Sequence, residues 1–289
     1  MLRALAAREV FGGRAALVVA HPDDETIAVG GSLHLLPGVL MIHMTDGAPR
    51  RLGDAARSGF STPEAYAAAR EAELRAALAL ISSSSRGKAV AIQGVRTEHR
   101  CVPPGSPRFA RDDDRVQGGR IQLGIPDQDA VLHLPTLTQT LAALFRSHAI
   151  DAVLTHAYEG GHPDHDATAL AVHRAAAGIP VYEFAGYHAA SGHTVMQHFL
   201  PGPPETAIAL PPADAARKRA MLACFRTQTE ILSRFDPTTE RLRPAPEYDF
   251  TRPPHPGPLN YEAWGWDLTG TRWRALASQD MPRETTCTA

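Results

Sequence analysis

Ala15-Ala16-Leu17-Val18-Val19-Ala20-His21-Pro22-Asp23-Asp24-Glu25-Thr26 decides the fold. The apolar run Ala15–Ala20 reads as a β-strand buried on both faces, the kind found in parallel sheets. Asp23, Asp24 and Glu25 then open a helix that the pattern extends to about Leu36. Carboxylates suit the positive end of a helix dipole, and Pro37-Gly38 stops the helix. A buried strand running straight into a helix is half of a βαβ unit.

The pattern recurs outward from this stretch. Val39–Met44 reads as a second buried strand, followed by a Thr45-Asp46-Gly47 turn. Pro63 opens an Ala/Leu-rich amphipathic helix to about Ile81. Ala89–Val95 is expected as a third strand, Pro135–Ser147 as a helix, Asp151–Thr155 as a strand and Ala213–Ser233 as a helix. The alternation predicts an α/β fold with a mostly parallel, doubly wound sheet and helices on both faces. In such sheets ligands bind beyond the carboxyl ends of the strands. Residues 101–128, rich in Pro, Gly, Arg and Asp, read as a long loop. From 237 to 289 a Pro- and aromatic-rich C-terminal extension is expected to pack on the same domain, with Tyr261, Trp264, Trp266 and Trp273 anchoring it in the core.

Composition narrows the function. The chain has 289 residues, 44% apolar and 21% charged, with a formal net charge of -2. That balance supplies no basic stripe for nucleic acid. No apolar run is long enough to span a membrane. The cysteines Cys101, Cys224 and Cys287 are odd in number and far apart, which argues against a disulfide framework or a thiolate zinc site. A reducing, cytoplasmic location is expected, and the polar N-terminus does not read as a secretory signal. G-x-S-x-G, H-E-x-x-H, Walker A and strand-following G-x-G-x-x-G patterns are absent from the sequence.

Two tracts carry the chemistry: His21-Pro22-Asp23-Asp24-Glu25 and His162-Pro163-Asp164-His165. Both fall beyond predicted strand ends, so one topological rule puts them on the same rim. Hydrolytic zinc takes three N/O ligands and keeps one position for water. His21, Asp24 and a histidine of the second tract make such a set, and spacing alone does not say which histidine. Zinc lowers the pKa of bound water to near neutrality. Asp23, adjacent and left over, is placed to take its proton. Pro22 and Pro163 stiffen the two loops.

These residues resemble the PIG-L/LmbE family of zinc-dependent N-acetylglucosaminyl deacetylases, over roughly Ala15 to Tyr187. The resemblance implies a Rossmann-like fold, a deacetylase domain over residues 1–236, one Zn²⁺ per chain, and hydrolysis of an N-acyl group from a small amino sugar or glycoconjugate. It implies that His21, Asp24 and His165 hold the metal, that Asp23 is the general base, and that His162, protonated, stabilises the tetrahedral intermediate. Asp164 would orient an imidazole from behind. Arg70, in an Arg-x-x-Glu element with Glu73, and Asp127, in Gly124-Ile125-Pro126-Asp127, would contact substrate. A solvated ion pair and a plain turn explain those last two equally well. Glu159 reads as a loop carboxylate.

Two other readings stand beside an N-deacetylase. One is an amidase of the same metal chemistry acting on a larger thiol-sugar or other amide conjugate. The other is a non-catalytic metal-binding protein, which would have no need of the spare Asp23. Substrate identity and oligomeric state are not written in the sequence.

Overall fold

The computed structural model describes residues 1–84, 110–111 and 119–279. The strand expected at Ala89–Val95 lies outside them. The strands are β1 (Ala15–Val19), β2 (Leu40–Pro49), β3 (Ala110–Arg111), β4 (Arg120–Asp127), β5 (Ala152–His156), β6 (Val181–Phe184), β7 (Tyr187–Ala190), β8 (His193–Met196), β9 (Thr206–Ala209) and β10 (Thr239–Pro244). The helices are α1 (Leu2–Ala6), α2 (Asp24–Val29), α3 (Gly53–Arg57), α4 (Pro63–Ser84), α5 (Leu134–Ser147), α6 (Pro163–Ala175), α7 (Pro212–Leu222), α8 (Thr229–Leu232), α9 (Asn260–Ala263) and α10 (Gly270–Gln279).

Among the described residues the main sheet runs β3-β4-β2-β1-β5-β6-β10-β9. Strands β4, β2, β1, β5 and β6 are parallel; β3 runs against β4, and β10 against both β6 and β9. β7 and β8 form a separate hairpin. The sheet is mostly parallel with helices on both faces, as the sequence pattern requires.

The continuous apolar run of β1 has a simple cause: it feeds two cores at once. Leu17 and Val19 pack on one side with Leu74 and Leu78 of α4 and Met221 of α7. Ala16 and Val18, of opposite parity, pack on the other with Leu137, Leu141 and Phe145 of α5. In α5 the buried residues Leu134, Leu137, Leu141 and Phe145 recur at helical spacing.

β1 lies between β2 and β5, so the winding reverses direction there. The crevice beyond β1 and β5 is the switch point where such sheets bind ligands. His21 follows β1 directly, His156 ends β5, and His162 caps α6 after β5.

Several boundaries differ from the sequence reading. α2 stops at Val29 because Gly30-Gly31 gives poor helical support, and a 3₁₀ turn, Leu33–Leu35, follows. The expected loop 101–128 contains β4, whose Leu123 is buried against the sheet. The expected helix Ala213–Ser233 breaks after Leu222, where Phe225 turns into the core at 1% exposure. The broken part, through a 3₁₀ turn at Arg226–Gln228 and α8, forms one wall of the central cavity. The C-terminal extension begins with a sheet strand, β10. Its Tyr261 and Trp273 are fully buried, but Trp264 is 39% exposed. Among the described residues no helix is long and apolar enough to cross a membrane.

Candidate active site

The two tracts meet. The side chains of His21 and Asp24 approach to 3.4 Å (Nδ1 to Oδ2), and those of His165 and Asp24 to 3.5 Å (Nε2 to Oδ1). The His21 and His165 ring centroids are 5.2 Å apart. All three residues are buried yet line a cavity of about 710 Å³. Asp24 also accepts the His21 backbone N–H at 2.8 Å, which fixes its carboxylate across the turn.

Two further residues join them. His156 at the end of β5 stacks on His165 at 4.0 Å, and its Nε2 lies 3.3 Å from Asp24 Oδ2. The sequence reading missed His156; the available signal was a histidine at the end of a buried strand. Asp127, expected as a substrate contact in a turn, stands at the end of β4 with Oδ1 3.3 Å from His21 Nε2 and 3.4 Å from His162 Nε2. Gln128, next to it, takes φ 74°, and its N–H donates to Asp164 Oδ2 at 2.6 Å.

The donor set suits a divalent metal. Among the described residues, three groups of side chains have ligand atoms within 4.8 Å of one another: His21 with His162 and His165; Asp24 with His156 and His165; and His21 with Asp127, His162 and Asp164; the expected set of His21, Asp24 and His165 is divided between the first two. Burial holds His156 below the ordinary histidine range and His165 well below it. Neutral imidazole is the form that binds metal. Burial alone would lower His21 too, but Asp127, Asp164 and Asp24 around it raise it well above the usual value. Asp127 Oδ1 has no hydrogen-bond partner apart from these charged contacts.

Asp23 takes the N-cap of α2 at φ 132°, a backbone conformation few non-glycine residues adopt and one that costs about 1–3 kcal/mol. Such strain persists where surroundings over-determine it. Here Arg70 does so: its guanidinium donates to Asp23 Oδ2 and Pro22 O, both at 2.8 Å, and to Gly47 O at 2.7 Å. Gly47, at φ 69°, makes room, since a Cβ there would lie 2.7 Å from Arg70 Nη1. Burial drives the Asp23 carboxyl well above its ordinary pKa despite the pull of Arg70, a direction that suits a base.

Arg70 therefore turns toward Asp23 rather than pairing with Glu73, whose carboxylate accepts from Thr227 N at 2.9 Å and Thr227 Oγ1 at 2.6 Å. His162 Nδ1 accepts the Asp164 N–H at 3.1 Å, which leaves Nε2 as its donor nitrogen. Asp164 Oδ2 stands 3.3 Å from His21 Nε2 and its Oδ1 takes Ala130 N at 3.0 Å. Glu159 lies outside the cavity lining, accepting from Leu200 N at 2.7 Å.

The family model of PIG-L, GlcNAc-PI de-N-acetylase, matches residues 16–176, a span that holds both tracts. No curated protein matches the sequence. Among solved structures, the A40926 pseudoaglycone deacetylase Dbv21 superposes with a TM-score of 0.57 at 17% identity, over 82% of this chain and 98% of that one. A deacetylase of the teicoplanin biosynthesis pathway gives 0.55 at 15%, over 81% and 100%. GalB, the 4-carboxy-2-hydroxymuconate hydratase of Pseudomonas putida, gives 0.50 at 15%, over 82% and 98%. At these identities the likeness shows a shared fold, and the fold hosts more than one reaction.

Proposed function

From the premise that this chain belongs to the PIG-L family of de-N-acetylases, a hydrolytic N-deacetylase lineage, we propose that it is a zinc enzyme releasing an acyl group from an amino sugar or glycoconjugate. The observation that carries the reading is the pairing of a buried His/Asp cluster with a carboxylate, Asp23, held beside it by Arg70. Binding a metal needs no such extra base.

His21, Asp24 and His165 would hold one Zn²⁺. When bound, the ion supplies a Lewis acid for the amide carbonyl and a water acidic enough to attack near neutral pH. Asp23 takes the proton of the attacking water and passes it to the departing nitrogen. Arg70 keeps Asp23 aimed and opposes the protonation that burial favours. His162 donates from Nε2 to the oxygen that gains charge as the carbonyl becomes tetrahedral, a contribution of about 3–4 kcal/mol for one such donor. Asp127 and Asp164 hold His21 through its Nε2, and the Asp164 backbone N–H holds His162 through its Nδ1.

A second reading, an amidase on a larger conjugate, draws on the cavity: about 710 Å³ is ample for a drug-sized ligand. The experiment is metal analysis of the purified protein with a product screen across N-acetylglucosamine, its oligomers and bulkier N-acyl conjugates. Acetate and a free amine appearing together, abolished by chelation and restored by zinc, is the expected result. Release of a larger acid alone supports the amidase, and a metal-loaded protein that turns over no amide removes the catalytic reading.

A further inference from the structure

The aromatic residues of the C-terminal extension divide into two kinds. Tyr261 and Trp273 are core residues, and Trp273 Nε1 donates to Pro163 O at 3.0 Å beneath the second tract. Trp264 and Trp266 line the cavity instead. Their rings lie 5.3 Å apart. Trp266 stands edge-to-face with His162 at 5.0 Å, interplanar angle 80°. Trp264 lies 5.9 Å from Tyr187, which is itself 5.3 Å from His165. An aromatic wall thus starts at two histidines of the site and runs outward to solvent.

The wall is fixed in place. Asn260 N donates to Gly160 O at 3.0 Å, which ties α9 to the loop leading into His162. Glu262 accepts the N–H groups of Leu259 and Gly270, each at 2.8 Å, and closes the segment that carries both tryptophans. A tryptophan left 39% exposed beside a fully buried one in the same short segment keeps apolar surface in water at a cost of roughly 25 cal/mol per Å².

We propose that Trp264 and Trp266 bind the C–H face of a pyranose ring whose N-acyl group lies at His162, and so select a sugar as the amine portion of the substrate. The proposal rests on the deacetylase reading above. An indole face is electron-rich and attracts polarised C–H groups. The ring hydroxyls would meet the polar part of the lining, which includes Asp54, Arg57, Ser58 and Gln128. That mixture fits a molecule with apolar faces and polar edges better than an alkyl chain.

The chain has three tryptophans, and the third is fully buried, so its fluorescence response to a ligand in the cavity comes from Trp264 and Trp266. Titrating the purified protein with the glucosamine disaccharide, a product that cannot turn over, is expected to shift or quench the emission. The double variant Trp264→Ala/Trp266→Ala should lose the response. In turnover, Trp264→Ala should raise KM for the N-acetylated disaccharide about tenfold, equivalent to about 1.4 kcal/mol, with kcat little changed. Trp264→Phe should restore most of the affinity, and KM for open-chain N-acetylethanolamine should not move. Disaccharide binding seen by calorimetry without any emission change overturns the proposal, as does an equal KM rise for the open-chain amide. If no amide is hydrolysed at all, the deacetylase reading fails on its own, and the fluorescence arm still decides whether the wall takes a sugar.

Discussion

Arg70 Nη2 donates to Asp23 Oδ2 at 2.8 Å, with 5% and 7% of the two side chains exposed. The pair is therefore desolvated, and removing one partner leaves the other charge uncompensated. Arg70→Met should destabilise the fold by about 3–5 kcal/mol and abolish turnover, because Asp23 loses the guanidinium that aims its carboxylate and opposes its protonation. Asp23→Asn is milder: its amide oxygen still accepts from Arg70. This variant should keep its zinc and lose less stability than Arg70→Met while kcat falls about 10²–10⁴-fold, the usual range for a general base. Turnover at the wild-type rate in a zinc-loaded Asp23→Asn protein would show that the base is another group.

The metal ligands are separable by content analysis. Asp24 touches His21, His165 and His156, so Asp24→Ala should bind less metal than any single histidine variant. His165→Ala and His21→Ala should each lose zinc, the loss appearing in elemental analysis before any assay. His156→Ala tests the residue the sequence reading passed over. If it only supports His165 by stacking, zinc remains near one per chain and affinity falls about 10–100-fold, the usual cost of a supporting group. Complete loss of metal would make His156 a ligand in its own right.

The two tracts were legible because their chemistry is local in sequence: His21, Asp23 and Asp24 share one strand-to-helix turn, and His162, Asp164 and His165 share one helix N-terminus. Their meeting followed from topology. Asp127 was harder, because its importance depends on β4 pairing in parallel with β2, a long-range register that Pro- and Gly-rich residues disguise as loop. Arg70 carried a helical position but no statement of direction; only the Gly47 gap turns it toward Asp23. The aromatic residues of the extension share one composition and divide by packing, which periodicity over so short a segment does not encode.

Stability should depend on pH through carboxyls remote from the metal ligands. Burial raises Glu159 from 4.5 to about 8 and Glu183 from 4.5 to about 7. In the window between those values the native state retains protons that the unfolded chain has released. Stability therefore falls as pH rises from about 4.5 through about 8, and each unit of difference is worth about 1.4 kcal/mol at most. Glu159→Gln keeps an acceptor for Leu200 N and cannot ionise. Its melting temperature should exceed wild type at pH 8.5 and converge with it near pH 5. Parallel profiles for the two proteins would mean that Glu159 does not ionise across this range.

Gly161 tests how tightly the loop before His162 is held. A Cβ at this position would stand 1.9 Å from the carbonyl oxygen of Tyr187, a backbone atom with no rotamer to change. Gly161→Ala must therefore push the loop or the start of β7. Overpacking of this kind costs about 1–3 kcal/mol, or about 2–4 °C of melting temperature per kcal/mol in a chain of this size. His162 is the next residue and Tyr187 adjoins His165, so the displacement reaches the site. A shift of about 1 Å there can lower kcat about 100-fold. Gly186→Ala is the matched control: it neighbours Tyr187, yet a Cβ there meets nothing within 4 Å. It should leave melting temperature and kcat nearly unchanged. Equal behaviour of the two variants would show that the contact between Gly161 and Tyr187 does not hold the site in shape.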